Sequence, residues 1–295
     1  MNSQKKYAIL SMDVEDWYHL DYFQGKNLDK SKSLLDGFVN YIDLLNKHKI
    51  KTTFFVLSEL VEIAEEHLKY AVDCGHEIAC HGKTHIRPLA MNTEDFEKEI
   101  AEAKATLAEV TGKDVVGYRA PCYSIDNERY EIVKKLGFKY SSSKMDVPNH
   151  PLYGDLSLSG FNCLQDNIYE KDGFMEFALS TKKLFGKHIA VSGGGWIRLF
   201  PWHLLMRPMI NSYANSSNTY TLYIHPFELS NRQMPKVKNI NFLTEMRSRI
   251  GLGKVTPKIE SLISILKDND FVFDTFVNIR EELLKKKHSI ISKTY

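Results

Sequence analysis

Residues 7–16 read Tyr7-Ala8-Ile9-Leu10-Ser11-Met12-Asp13-Val14-Glu15-Asp16, an apolar run of strand length that ends in three carboxylates. A short apolar run bounded by polar residues has the pattern of a strand buried on both faces. Working outward, apolar positions at Leu34, Leu35, Phe38, Tyr41, Ile42 and Leu45 give 33–48 a helical period. Residues 52–57 (TTFFVL) are β-branched and aromatic and read as a second strand. Ser58 is expected to cap a helix running to about Asp73, closed by Cys74-Gly75, and 76–80 (HEIAC) reads as a third strand. Thr93 is expected to cap a helix over 94–110 that stops at Thr111-Gly112.

The alternation continues with a strand near 115–118, a helix at 127–136 ended by Gly137, and a strand at 138–142. Later come a strand at 188–192, a helix around 201–213 and a strand at 219–225. Repeated β-then-α units predict an α/β fold with a mainly parallel sheet and helices outside it. Periodicity fits a barrel and an open doubly wound sheet equally. Two stretches break the rhythm. Residues 143–187 predict irregular loops or a small inserted hairpin, and the basic stretch 230–255 predicts a long connection with a short helix. The amphipathic 275–288 ends Lys285-Lys286-Lys287-His288, which suits a solvated helix end, with a weak membrane-surface contact as the alternative.

Composition bounds the function. The 295 residues are 43% hydrophobic and 12% aromatic, which excludes a disordered chain. With 39 Lys and Arg against 37 Asp and Glu, the net charge of +2 gives no field to steer a nucleic acid. An apolar run long enough to span a membrane is absent from the sequence. The N-terminal stretch lacks the long apolar core of an export signal, so the expected location is the cytoplasm. Cys74, Cys80, Cys122 and Cys163 form no CxxC pair and are expected to be reduced thiols. The whole of 1–295 is expected to form one domain, with insertions near 143–187 and 230–255.

Parallel α/β folds carry function at the C-terminal ends of their strands. Four such ends here deliver Asp13-Val14-Glu15-Asp16, His81-Gly82-Lys83-Thr84-His85, Arg119-Ala120-Pro121-Cys122 and His225-Pro226. If 81–85 makes one turn of helix, its two imidazoles share a side and can bind one ion. A carboxylate from 13–16 completes a two-nitrogen, one-oxygen set suited to zinc or another divalent transition metal. The plain alternative is a pair of loop histidines making ordinary hydrogen bonds.

These segments, with Thr53-Phe54-Phe55-Val56, Gly75-His76-Glu77-Ile78 and Gly117-Tyr118-Arg119-Ala120-Pro121, resemble the ordered motifs of the polysaccharide deacetylases (NodB homology, carbohydrate esterase family 4). The resemblance runs from about residue 7 to 270. It is nearest to a cytoplasmic branch with DVED at strand one, a Gly-rich segment like 193–201 and a late HPxE like 225–228. It implies a distorted (β/α) barrel and metal-dependent removal of an N-acetyl group from a sugar. Asp13 then matches the general base, and Arg119 would orient it and favour the carboxylate. His81 and His85 match the metal ligands, for zinc or else cobalt, manganese or nickel. The family's usual third ligand directly follows the base, where this chain has Val14, so Glu15 or Asp16 must serve. Strand alternation favours Glu15. The backbone N–H of Cys122 would face the oxyanion, and His225 would protonate the leaving amine. Serine stands where the family has an aspartate orienting that histidine, leaving Asp146 or Glu228 to substitute. Trp17, Gly194, Trp196 and Arg198 are the expected sugar contacts.

The expected activity is N-deacetylation of a nucleotide- or lipid-linked N-acetylated sugar, as in O-antigen or capsule assembly. Hydrolysis of a non-sugar linear amide on the same scaffold is one alternative. A catalytically silent sugar-binding protein is another, although binding alone needs no base, metal and acid together.

Overall fold

In the computed structural model, which describes residues 4–147, 150–184 and 187–291, the first strand forms as β1 (Lys6–Val14), with residues 7–14 all buried. Helix α1 (Asp36–Lys47) follows, then β2 (Thr53–Val56), α2 (Val61–Asp73), β3 (Glu77–Cys80) and α3 (Thr93–Thr111). Next come β4 (Gly117–Tyr118), α4 (Asn127–Lys135) and β5 (Tyr140–Ser141). Two expected caps differ. Ser58 opens a short 3-10 turn ahead of α2 and caps nothing. Asn92, not Thr93, caps α3, its side chain accepting from Asp95 N at 2.8 Å. Asparagine satisfies that orphan N–H at least as well as threonine does.

The stretch expected to hold irregular loops or a small inserted hairpin carries an antiparallel meander: β6 (Asn162–Gln165), β7 (Ile168–Lys171) and β8 (Phe174–Phe177). Strand β8 lies parallel to β5 and joins the meander to the sheet. Residues 148–149 and 185–186 of this stretch lie outside the described residues. Strands β9 (Thr181–Leu184) and β10 (Lys187–Ala190) form a separate antiparallel pair, so the strand expected at 188–192 does not join the main sheet. Helices α5 (Gly194–Leu199) and α6 (Arg207–Ser216) lead to β11 (Thr219–Ile224) and the one-turn α7 (Pro226–Leu229). The basic connection contains α8 (Phe242–Arg249), and α9 (Val255–Asp268), β12 (Phe271–Phe273) and α10 (Phe276–Ile291) complete the chain.

The sheet runs β11-β1-β2-β3-β4-β5-β8-β7-β6, with β12 also paired to β1, and curls into a distorted, open (β/α) barrel. Its two edges approach through side chains. Gln165 at the end of β6 donates to Asn218 O at 2.6 Å and to Lys5 O at 3.0 Å, beside β11 and β1. Strands β1, β2 and β3 are buried on both faces, because helices cover the outside and a second apolar cluster around Tyr7, Phe55, Tyr140 and Phe276 fills the inside. Each fully buried side chain of this size contributes about 1.5–3 kcal/mol. At the chain's end, Lys286 pairs with Glu282 at 2.8 Å and Lys287 with Glu170 at 2.5 Å, so these two tail lysines turn to the protein.

One close approach fixes the loop after β11. A Cβ on Gly37 of α1 would lie 1.8 Å from Pro226 O, a backbone atom that has no room to retreat. The same helix anchors that loop through Asn40 Nδ2 to Leu229 O at 2.9 Å. Gly37→Ala is therefore expected to destabilise the protein by about 3 kcal/mol, an overpacking penalty. Thermal unfolding should show the loss as a fall of several degrees in Tm.

Candidate active site

Four strand ends meet at one edge of the barrel, as parallel order requires. Asp13 is the penultimate residue of β1 and Glu15 follows it; His81 follows β3, Arg119 follows β4, and His225 follows β11. Arg119 is wholly buried. Its Nη1 donates to Asp13 Oδ1 at 2.6 Å and to Ser11 Oγ at 2.9 Å. Its Nε and Nη2 donate to Ser142 O at 3.0 Å and Ser142 Oγ at 2.9 Å, just beyond β5. The guanidinium lies 4.0 Å from the centroid of the Phe55 ring, a cation–π contact. A buried charge of this kind persists because every donor it turns inward meets an acceptor.

Glu15 is buried between imidazoles. Its Oε2 is 2.7 Å from His85 Nε2 and its Oε1 is 3.3 Å from His225 Nε2. Burial opposes its charge, yet His85, then His225 and His81, hold its carboxyl well below the usual carboxylate range. Burial also works against protonation of His85, but Glu15 overrides it and raises that imidazole. His81 behaves oppositely. Its Nδ1 lies 2.8 Å from Arg119 O, and a carbonyl can only accept, so Nδ1 carries the proton and Nε2 keeps its lone pair. Burial pushes His81 down to about 4, leaving the ring neutral.

His225 faces two carboxylates. Its Nδ1 is 3.4 Å from Glu228 Oε2, and its backbone N donates to the same oxygen at 3.1 Å. Burial disfavours the imidazolium, but the Glu228 hydrogen bond and the Glu15 charge push it up to about 9. Glu228 is held in turn by Arg198, Nε to Oε1 at 3.3 Å. Of the two partners left open for His225, the structure brings Glu228 to it.

Glu15, His81 and His85 each offer a donor atom, all within 4.8 Å of one another. His85 Nδ1 is buried with no hydrogen-bond partner among the described residues. Two imidazoles and one carboxylate, one imidazole fixed with its lone pair inward, are a donor set that fits a divalent transition ion. The histidine pair does not share a helix turn, as one reading of its spacing required. Residues 81–87 form a loop, with Gly82 at φ 100° and the N–H groups of Lys83 and Thr84 donating to Glu99 Oε1 at 2.6 and 2.9 Å. The loop, not helical spacing, brings the two rings to a centroid separation of 5.5 Å.

Other expected site residues sit elsewhere. Asp16 turns away from the histidines and accepts from Trp17 N at 2.8 Å and Leu34 N at 2.9 Å. It works as a cap, leaving Glu15 as the carboxylate at the cluster. Trp17 is buried, its Nε1 donating to Lys32 O at 2.7 Å, so its ring face is not open to a sugar. Gly194 packs on Glu228, where a Cβ would meet Oε2 at 1.9 Å. Arg198 is committed to Glu228 and to the Arg247 and Ile250 carbonyls. Trp196 stacks on Phe200 with centroids 4.9 Å apart. None of these four lines the cavity above the site.

That cavity measures about 370 Å³ and is floored by Asp13, Glu15, His81, His85 and His225. Cys122 lines it, at φ 52°, followed by Tyr123 at φ 54°. Two consecutive non-glycine residues in the left-handed region cost about 1–3 kcal/mol each and mark this turn as strained. Its remaining walls include Tyr22, Tyr153, Tyr223 and Arg247, which the sequence reading missed. Tyr223 could have been found, because it lies two residues before His225 and strand alternation puts both on one face. For Tyr22, Tyr153 and Arg247 the sequence carries no periodic signal.

The family model described as polysaccharide deacetylase matches residues 30–141, and a model described as a domain of unknown function (DUF3473) matches 142–281. A Mycobacterium smegmatis structure assigned to the polysaccharide deacetylases superposes with a TM-score of 0.64, at 18% identity, over 97% of this chain and 93% of that one. The chain carries a polysaccharide deacetylase domain of the NodB type. A peptidoglycan deacetylase of Helicobacter pylori is 33% identical over 128 residues, 42% of this chain and 44% of that protein. The match therefore spans less than half the length of that relative. A carbohydrate esterase family 4 pseudoenzyme from Bacillus anthracis shares the fold with a TM-score of 0.53, at 12% identity, over 94% of this chain and 66% of that one. The polysaccharide deacetylase model spans His81, His85 and Arg119; Asp13 and Glu15 precede it, and His225 lies in the stretch matched by the model of unknown function.

The Asp13–Arg119 pair has a clear thermodynamic signature. Arg119→Met is expected to destabilise the domain by about 3–5 kcal/mol, because it leaves a buried carboxylate without its partner. Adding Asp13→Asn should recover a substantial part of that loss. Urea unfolding of the two single variants and the double variant measures the coupling.

Proposed function

We propose that the protein is a hydrolase that removes the acetyl group from an N-acetylated sugar with the help of a divalent metal, zinc by preference, held by Glu15, His81 and His85. The observation that carries this reading is the convergence of Asp13, His225 and that donor set on the floor of one cavity, with Arg119 buried behind Asp13 and paired to it. A metal bound there would polarise the acetyl carbonyl and make water more acidic. The protein's own groups divide the remaining work. Asp13, positioned by Arg119, takes a proton from the attacking water as its oxygen bonds to the acetyl carbon. The backbone N–H of Cys122 is the proposed donor to the oxygen that gains charge. His225, protonated at neutral pH, delivers its proton to the nitrogen as the C–N bond breaks. Acetate and a free amine leave.

Support for catalysis over mere binding lies in the opposed surroundings of the two histidines. His81 turns its Nδ1 to a backbone carbonyl while His225 sits between two carboxylates, Glu15 and Glu228, an arrangement that a sugar-binding pocket has no need of. The substrate class in this proposal is a nucleotide- or lipid-linked N-acetyl sugar from surface polysaccharide assembly, processed in the cytoplasm. Among the described residues no helix is long and apolar enough to cross a membrane.

Two measurements test the proposal. Isothermal titration with Zn²⁺ should give one site per chain, lost in His81→Ala and Glu15→Gln and retained in His225→Gln. Acetate release should be assayed on a panel of nucleotide- and lipid-linked N-acetyl sugars. It should stop with chelator and fall by about 10²–10⁴ in kcat for Asp13→Asn and for His225→Gln. Zinc binding without acetate release from any panel member would reject the sugar substrate and leave a non-sugar amide. Absence of both would reject the enzyme.

A further inference from the structure

We infer that α8 is a docking element for an anionic lipid surface, set beside the mouth of the catalytic cavity. The argument begins with charge. Residues 230–254 contain Arg232, Lys236, Lys238, Arg247, Arg249 and Lys254 against one acid, Glu245. Removing those six cations and one acid from the totals of 39 and 37 leaves 33 cations against 36 acids. The net positive charge of the chain thus resides entirely in this one connection. Glu245 is already matched by Arg249 at 3.5 Å. Lys236, Lys238, Arg247 and Lys254 are exposed, and among the described residues their side chains have no ion pair.

An apolar face lies among these cations. Phe242 is 76% exposed, Leu243 68%, Ile250 41% and Met246 39%. At about 100° per residue, these four positions fall within one arc of about 100° on α8 and its C-cap, while buried Ser248 points the opposite way. Asn241 caps the helix by accepting from Thr244 N at 2.8 Å, and Arg198 ties its far end to the barrel through the Arg247 and Ile250 carbonyls. The helix is therefore held in place with its apolar face outward, where no segment of the described chain covers it.

Exposed Phe, Leu, Met and Ile flanked by unpaired Lys and Arg is the pattern of a helix that lies in a bilayer interface, with cations at the anionic headgroups. A nucleic acid has no use for the aliphatic half of this face. A second copy seated on it would oppose one cationic patch with another. Arg247, on the flank of the apolar arc, also lines the catalytic cavity, so a bilayer on α8 would sit at the cavity's mouth. The lipid contact rests on exposure and charge alone. Only its use, presenting a membrane-held glycan to the site, rests on the deacetylase reading.

The test is co-sedimentation of the full chain with vesicles of phosphatidylcholine alone and with phosphatidylglycerol added to 30%. Binding is expected to the anionic vesicles, and to weaken with salt. Lys236→Gln/Lys238→Gln should weaken it by roughly 25-fold, about fivefold per cation. Phe242→Ser/Leu243→Ser should weaken it at least about tenfold. Both double variants alter only exposed side chains, and zinc binding and thermal unfolding should match the parent. Absence of binding to anionic vesicles at low salt, or binding indifferent to both variants, would overturn the inference. So would a dimer in light scattering that Phe242→Ser/Leu243→Ser dissolves in a protein that ignores vesicles, since a second copy would then be the occupant. Failure of acetate release with vesicle binding intact would count against the enzymatic reading alone.

Discussion

The guanidinium of Arg119 sits with no exposed surface among the ends of β1, β4 and β5, and the site is built around it. A cation removed from water is tolerable only if its donors find acceptors, and here those acceptors come from β1 and from the turn after β5. Asp13 supplies the countercharge, Ser11 and Ser142 the neutral oxygens, and Phe55 of β2 a ring face. Shifting any of these strands by one residue would send its acceptor to the opposite face and leave the charge uncompensated. The pair therefore fixes register as well as charge. Its own carbonyl then sets the protonation of His81, so one residue governs both the carboxylate beside the cavity and the lone pair within it.

The second charge layer is centred on Glu15. A buried carboxylate needs positive neighbours, and the ones available are His85 and His225. Glu228 approaches His225 from behind and is itself balanced by Arg198. The result is a chain of alternating charge from α5 to the cavity floor, Arg198–Glu228–His225–Glu15–His85. In this chain Gly194 has a packing role, leaving room for Glu228, and Arg198 an electrostatic one. The Gly-rich segment that carries both, expected to supply sugar contacts, folds as the start of α5.

The two irregular stretches serve different ends. The first extends the sheet by the β6–β8 meander, and Gln165 closes the gap between the barrel's edges by hydrogen bonds. Glu176 of β8 holds the turn after β5 by accepting from the N–H groups of Ser143 and Lys144 at 2.7 and 2.8 Å. The serines at that turn are thus occupied with Arg119 and with backbone. The second stretch is anchored by Met234, buried in the cluster around Trp17 and Phe23, while Phe242 and Leu243 of α8 stay exposed.

The sequence by itself determined the alternation of strands and helices and the strand ends at which Asp13, His81, His85, Arg119 and His225 collect. Those are local properties: hydrophobic period, turn residues, and motifs a few positions long. Even Glu15 over Asp16 followed from strand alternation, because period two is a backbone property. Only the tertiary structure decided what depends on distance in space. It made Asp16 a cap, buried Trp17, chose Glu228 for His225, and brought Tyr22, Tyr153 and Arg247 from remote segments to the cavity wall. Periodicity along the chain was blind to the curl of the sheet, which depends on packing between elements and which in the sequence only the family resemblance implied.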